Sequence, residues 1–203
     1  MKTQPRSPQS LPAAIPLVVP QPAYLYHAYQ GDTNNCGPYS VAIAANAWAG
    51  EPRYDALEVA QAMNRPLFKA HPLPHWVLLR LPNGPSFPWG MAAYLAERLG
   101  IAAECRWRCD EALLQRNLAQ GLLTIVFIGE LLRFERLRYR GWAHAKVLYG
   151  YDPARGYAFV DPGYEHTADP WGALGVFWQT REDFLAGWRG MLRAAITLGR
   201  ATA

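Results

Sequence analysis

Apolar and polar positions follow two rhythms along this chain, and the rhythm changes near Gly100. Before it, apolar residues recur every three or four positions, the period of a helix with a buried face. "CGPYSVAIAANAWAG" predicts a helix from about Cys36: Val41, Ala44, Ala45 and Trp48 share a face, Pro38 suits the first turn, and Gly50 supplies the stop. "YDALEVAQAMNR" predicts a second helix and "WGMAAYLAERLG" a third, ending at Gly100. Between these two, "HPLPHWVLLRLPNGPSFP" is rich in Pro and Gly and reads as a long loop.

Beyond Gly100 the strand period of two takes over. "IAAECRW" alternates as a strand, "DEALLQRNLAQG" is a short helix capped by Asp110, and "LLTIVFIG" is a buried strand rich in apolar and β-branched residues. "HAKVLYGYD" and "YAFVDP" are two strands joined by the turn "DPARG", a hairpin signal. "TREDFLAGWRG" is a capped helix and "LRAAITLG" a last strand. Helices first and strands later predict an α+β fold, with helices packed on an antiparallel sheet.

Residues 1–23 stand apart as a Pro-rich arm, leaving 24–203 as one domain large enough for one real core. Lys2 and Arg6 precede a short apolar stretch, as in a secretory signal. Pro12, Pro16 and Pro20 break that stretch and no clear small-x-small site follows, so an extended arm on the domain surface is preferred. Hydrophobic residues at 51% against 18% charged make the composition globular rather than disordered. A net charge of +4 is too mild and too scattered to point to nucleic acid as a partner. No apolar run approaches the roughly 18 residues of a membrane span, so no integral membrane segment is expected. The three cysteines form an odd, sparse set that fits a reduced, cytoplasmic setting better than a disulfide framework.

The candidate chemistry centres on "QGDTNNCGPY". A thiol opening a helix meets unpaired N–H groups and the positive end of the macrodipole, which favour the nucleophilic thiolate. A small Gly37 would let a substrate carbonyl approach. Taken alone, Cys36 would read as a buried structural cysteine. Attack on a carbonyl creates an oxyanion, for which the Cys36 backbone N–H and the Gln30 side-chain amide are candidate donors. A base is also needed, from among His27, His71, His75, His144 and His166. His144 opens a strand after a flexible Gly-Trp pair and is preferred, with His166 or His27 next. Its orienting carboxylate is Asp161, at the end of the neighbouring strand; the rival Asp152 reads as a turn former.

"QGDTNNCGPYSVAIAANAWAG" and "AHAKVLYGYDPARGYAFVDPGY" together resemble the papain-like cysteine peptidases of the bacteriocin-processing, double-glycine leader type, in a free-standing form. That family uses a Gln, a Cys in a Cys-Gly-Pro context opening a helix, a His before a "GYD"-like strand and an Asp before Pro. The resemblance implies a papain-like fold with Gln30, Cys36, His144 and Asp161 as the catalytic set, no cofactor and no metal, and a peptide or amide substrate. It covers about residues 28–50 and 142–190, including the "FLAGW" helix, and is weak over 51–141. Typical members are fused to a membrane transporter with an ATPase, which this chain lacks, so specificity for a double-glycine leader is not carried over.

Three readings of function compete: a cysteine peptidase or amidase working through a thioester; an acyltransferase, transglutaminase-like, on the same triad; and a catalytically silent peptide-binding module. Four intact positions argue against the last. Two other features carry less. Cys105 and Cys109 in "CRWRC" lack a second ligand pair, and Pro72 and Pro74 keep His71 and His75 from sharing a helix face, so a metal site is not expected. Arg133, Arg136, Arg138 and Arg140 precede His144; the last three alternate, reading first as a solvated edge strand and second as a basic rim.

Overall fold

A computed structural model describes residues 19, 21–70, 72–131, 140–165 and 175–199, and the backbone alone of 17–18, 134–135 and 138–139. In chain order the elements are β1 (Leu17–Val18), α1 (Cys36–Ala49), α2 (Ala56–Met63), β2 (Leu67–Lys69), β3 (His75–Val77), α3 (Pro88–Leu99), β4 (Ala103–Arg106), α4 (Glu111–Ala119), β5 (Thr124–Glu130), β6 (Phe134–Glu135), β7 (Arg138–Tyr139), β8 (Trp142–Asp152), β9 (Gly156–Val160), β10 (Val176–Gln179), α5 (Arg181–Gly190) and β11 (Ala195–Leu198). A 3-10 turn at Ala23–Tyr26 precedes α1.

The central sheet runs β10-β9-β8-β5-β11-β4, and β1 also pairs with β8. Every pairing is antiparallel. The expected α+β architecture is therefore present, with α1 packed against β8 and α5 against β5. Sequence dictates these contacts directly. β5 is buried from Thr124 to Gly129, as an interior strand covered on both faces must be. In α5, Phe184 and Trp188, four residues apart, share a face, are buried and stack with ring centroids 5.6 Å apart. Trp188 also donates its indole N–H to Ala194 O.

Several expectations need correction. Trp48 does not join the buried face of α1: it is 44% exposed, while Ser40 and Asn46 are buried. α1 is enclosed on nearly every side over residues 40–47, so its interior contains polar side chains that need partners, and Asn46 finds them in the Arg53 and Tyr54 backbone. The 71–88 stretch is not simply a loop: β3 pairs with β2, and Arg80 bridges Ser86. His144 is the third residue of β8, not its first, because pairing with β5 reaches back to Trp142. The strand β10 was not anticipated at all. Within the segment read as an arm, Leu17–Val18 pairs with Tyr151 and Gly150, and Val19 and Ala23 are buried. The arginine run is a two-rung ladder of β6 on β7 in its described backbone; Arg133 and Arg136 lie outside the described residues, as do His71 and His166.

Candidate active site

Cys36 opens α1, preceded by Asn35 at the cap position. Asn35 would ordinarily turn its side-chain oxygen onto the first helical N–H groups. Here it makes no such bond, and its Oδ1 accepts instead from Arg80 Nη1 at 2.9 Å. The free helix end is left to the thiol. Arg80 is 1% exposed, and its Nη2 also donates to the Asn34 and Gly84 carbonyls. The charge of Cys36 is felt in turn at Arg80, favouring its charged form against burial. The buried guanidinium thus ties the Asn34–Asn35 approach to the loop before α3. Gly37 also meets a packing constraint: a Cβ there would come within 2.6 Å of the Ser86 side chain and 3.2 Å of the Met91 sulfur.

The β8–β9 hairpin supplies the other two groups. Val147 faces Val160 across the ladder, so the next rung brings Asp161 level with Lys146 and within diagonal reach of His144. His144 Nε2 and Asp161 Oδ1 are 2.5 Å apart. Asp161 Oδ1 also accepts the Gly163 N–H at 2.8 Å. Gly163 is wedged in: a Cβ there would lie 3.1 Å from both Asp161 Oδ1 and His144 Cε1. Asp161 is 1% exposed and the His144 side chain 20%, so the carboxylate is sealed and the imidazole reachable.

Protonation follows from these contacts. Burial pushes the Cys36 thiol up, but a hydrogen bond to His144, the imidazolium charge, and the Ala145 and Gly37 backbone groups outweigh it, leaving the thiol below its usual value. Burial pulls His144 down, while hydrogen bonds and charge from Asp161 and Cys36 carry it up to about 9. Burial raises Asp161, and His144, Lys146 and the Gly163 N–H more than reverse that, holding it below the usual carboxylate range. The contacts shift all three groups the same way, toward thiolate, imidazolium and carboxylate.

Of the four residues singled out from the sequence, Cys36, His144 and Asp161 meet. Gln30 is docked beside them through its backbone N–H on Pro162 O at 2.9 Å. Its amide Nε2 donates to Thr33 O at 2.8 Å, and its Oε1 is buried without a partner. Asp152 caps its own turn, accepting the Ala154 N–H at 2.7 Å. His27 contacts the Asp161 carbonyl at 3.0 Å rather than its carboxylate. Two buried cations escaped the sequence reading: Arg80 and Lys146, the latter 3.9 Å from Asp161 Oδ2. Their signals were present as an arginine inside the apolar run "VLLRL" and a lysine on the strand face of His144.

The other thiols sit differently. Burial, with Cys109 and Glu104 beside it, pushes Cys105 up to about 11, and burial raises Cys109 as well. Among the described residues no group of three metal-ligating side chains comes together. Iodoacetamide at neutral pH should therefore label Cys36 at least about tenfold faster than either other cysteine, since the thiolate is the reactive form. Mapping the labelled peptides by mass spectrometry checks this, and equal or faster labelling of Cys105 or Cys109 would remove Cys36 as the nucleophile.

No family model and no curated protein matches this chain. Among solved structures it is similar to a Bacillus anthracis protein whose crystal structure is provisionally described as a C39-like peptidase. The TM-score is 0.64 at 14% identity, over 94% of this chain and 100% of that one. At that identity the likeness is one of architecture, and the fold of this chain is the α+β papain-like one, its first helix packed on an antiparallel sheet.

Proposed function

We propose that this chain is a cysteine-type hydrolase of peptide or amide bonds. The observation that carries this reading is the continuous line from the helix-opening Cys36 through His144 to the sealed carboxylate of Asp161. The Cys36 thiolate attacks the substrate carbonyl carbon; the C–S bond forms as the carbonyl π pair moves onto oxygen. The oxyanion is held by the Cys36 backbone N–H and by the second N–H of the Gln30 amide, the first being spent on Thr33 O. Its collapse breaks the C–N bond, and the departing amine takes the proton of the His144 imidazolium. Neutral His144 then removes a proton from water, which attacks the thioester. The C–S bond breaks, the acid product leaves, and thiolate and imidazolium are restored. Asp161 keeps the ring oriented and its charge compensated throughout.

A peptide substrate is supported by the fold's likeness to a C39-like peptidase and by an aromatic pair next in sequence to Ser86, which meets the start of α1 at Gly37. Phe87 follows Ser86, which packs against Gly37, and stacks on the 47%-exposed Trp89 with centroids 4.7 Å apart. Among the described residues no helix is long and apolar enough to cross a membrane.

The oxyanion role of Gln30 is tested by Gln30→Ala. With one donor remaining, kcat should fall by on the order of a hundredfold while KM changes little. Unchanged turnover on a fluorogenic peptide or amide substrate would remove Gln30 from the mechanism. The reading as a whole is tested by incubating the full chain with a thiol-directed acyl probe and locating the adduct by mass spectrometry. Capture at Cys36 that requires His144 supports it, and capture elsewhere overturns it.

A further inference from the structure

Lys146 has no part in the reaction just described, yet it is built into the site. It is 1% exposed, and lysine is almost never so buried without a partner. Its Nζ donates to Gln179 Oε1 of β10, lies 3.9 Å from Asp161 Oδ2, and sits 4.1 Å from the centroid of the Phe159 ring. Phe177 lies further off, at 5.8 Å. Asp161 thus divides its two oxygens. Oδ1 serves His144 and the Gly163 N–H, while Oδ2 faces the ammonium. Two cations share one sealed carboxylate.

Resting on the triad reading above, we propose that Lys146 is a positioning residue: its ammonium, fixed by Gln179, holds Asp161 through Oδ2 and governs how firmly Oδ1 retains the His144 imidazolium. The surroundings leave few rivals for this coupling among the described residues. β9 and the turn after it present Phe159 and Asp161, and β10 presents Phe177 and Gln179. β5 places Val126 opposite Lys146, and the charged group of α1, the Cys36 thiolate, bears on His144 while the charge acting on Lys146 is that of Asp161. On its own strand the neighbouring titratable group on that face is His144, and Tyr164 senses the Asp161 charge from outside.

The coupling has a definite sign. Burial pulls Lys146 down to about 8 against the pull of Asp161, whereas His144 stands at about 9. As pH rises, the lysine gives up its proton first. While it is charged it competes with the imidazolium for the carboxylate, and once it is neutral Asp161 serves His144 alone. A positive neighbour disfavours a second positive charge, so loss of the lysine charge raises the His144 pKa. The two groups titrate as a pair rather than as independent sites.

The test is an NMR titration of the His144 ring in the full chain carrying ring-labelled histidine, with the resonance assigned by its loss in His144→Gln. The wild-type ring should show two inflections, near 8 and near 9. In Lys146→Met the lower inflection should vanish, leaving one His144 step near 9. Gln179→Leu keeps the lysine and removes its acceptor, so the lower inflection should move down. A His144 curve in folded Lys146→Met that superimposes on wild type overturns the proposal, for lysine would then merely fill space. Should Lys146→Met not fold, Gln179→Leu decides, and an unmoved lower inflection overturns it. A wild-type His144 titrating near the ordinary imidazole value of about 6.5 would instead strike at the triad itself.

Discussion

Replacing Cys36 by alanine abolishes turnover and leaves the domain folded. The first half of that expectation follows from chemistry: without sulfur no thioester forms, and removing an activated nucleophile costs about four orders of magnitude or more in kcat. The second follows from position. Cys36 is half-buried at the first residue of α1, where alanine is a good helix former and loses little packing. The fold should melt within a few degrees of wild type, and His144, having lost the thiolate, should titrate lower. Rates with a peptide or amide substrate and a thermal melt check both halves. Turnover persisting above about 1% would sink the nucleophile assignment.

The second large effect belongs to Asp161→Asn, which acts on activity and stability together. His144 loses the carboxylate that holds its ring and supports its charge, so kcat/KM should fall by on the order of a thousandfold. Lys146, enclosed and 3.9 Å from the same carboxylate, loses its counter-charge, and breaking a buried pair in this way costs about 3–5 kcal/mol. Asp152→Asn is the matched control. Asp152 accepts one backbone N–H in a turn, which an asparagine oxygen accepts equally, so stability should move by less than about 0.5 kcal/mol. Initial rates and denaturant melts of the two variants decide between them. A larger loss from Asp152→Asn would mean the wrong acid has been chosen.

What the sequence revealed and what it hid divide along physical lines. α1 was legible because its ends are chemically marked, by Pro38 in the first turn and by Gly50, which adopts φ 75° at the stop. The β8–β9 hairpin was legible because the Asp152–Gly156 turn punctuates two apolar runs, and that hairpin brings His144 and Asp161 together. Trp48 was misplaced because a helix enclosed nearly all round has no single apolar stripe for periodicity to find. β2 and β3 were hidden by the prolines around them, and β10, "VFWQ", by its lack of a period-two alternation. The buried charges were the hardest to see. Composition puts Arg and Lys at the surface, and the partners that let Arg80 and Lys146 stay inside, Asn35 and Gln179, lie 45 and 33 residues away.

The place of β11 bears on how the chain is made. It lies between β5 and β4, so a strand from residues 195–198 must enter a gap between two others. A nascent polypeptide leaving the ribosome has already released Cys36, His144 and Asp161 by the time those residues emerge. Until then β4 has no strand partner among the described residues and the Thr124–Val126 edge of β5 stands open, a template for wrong partners. Closing the sheet by so distant a pairing is a slow, late step of maturation. A transcript stopped between residues 162 and 194 would encode Cys36, His144 and Asp161 alike, and still yield a sheet with a missing rung.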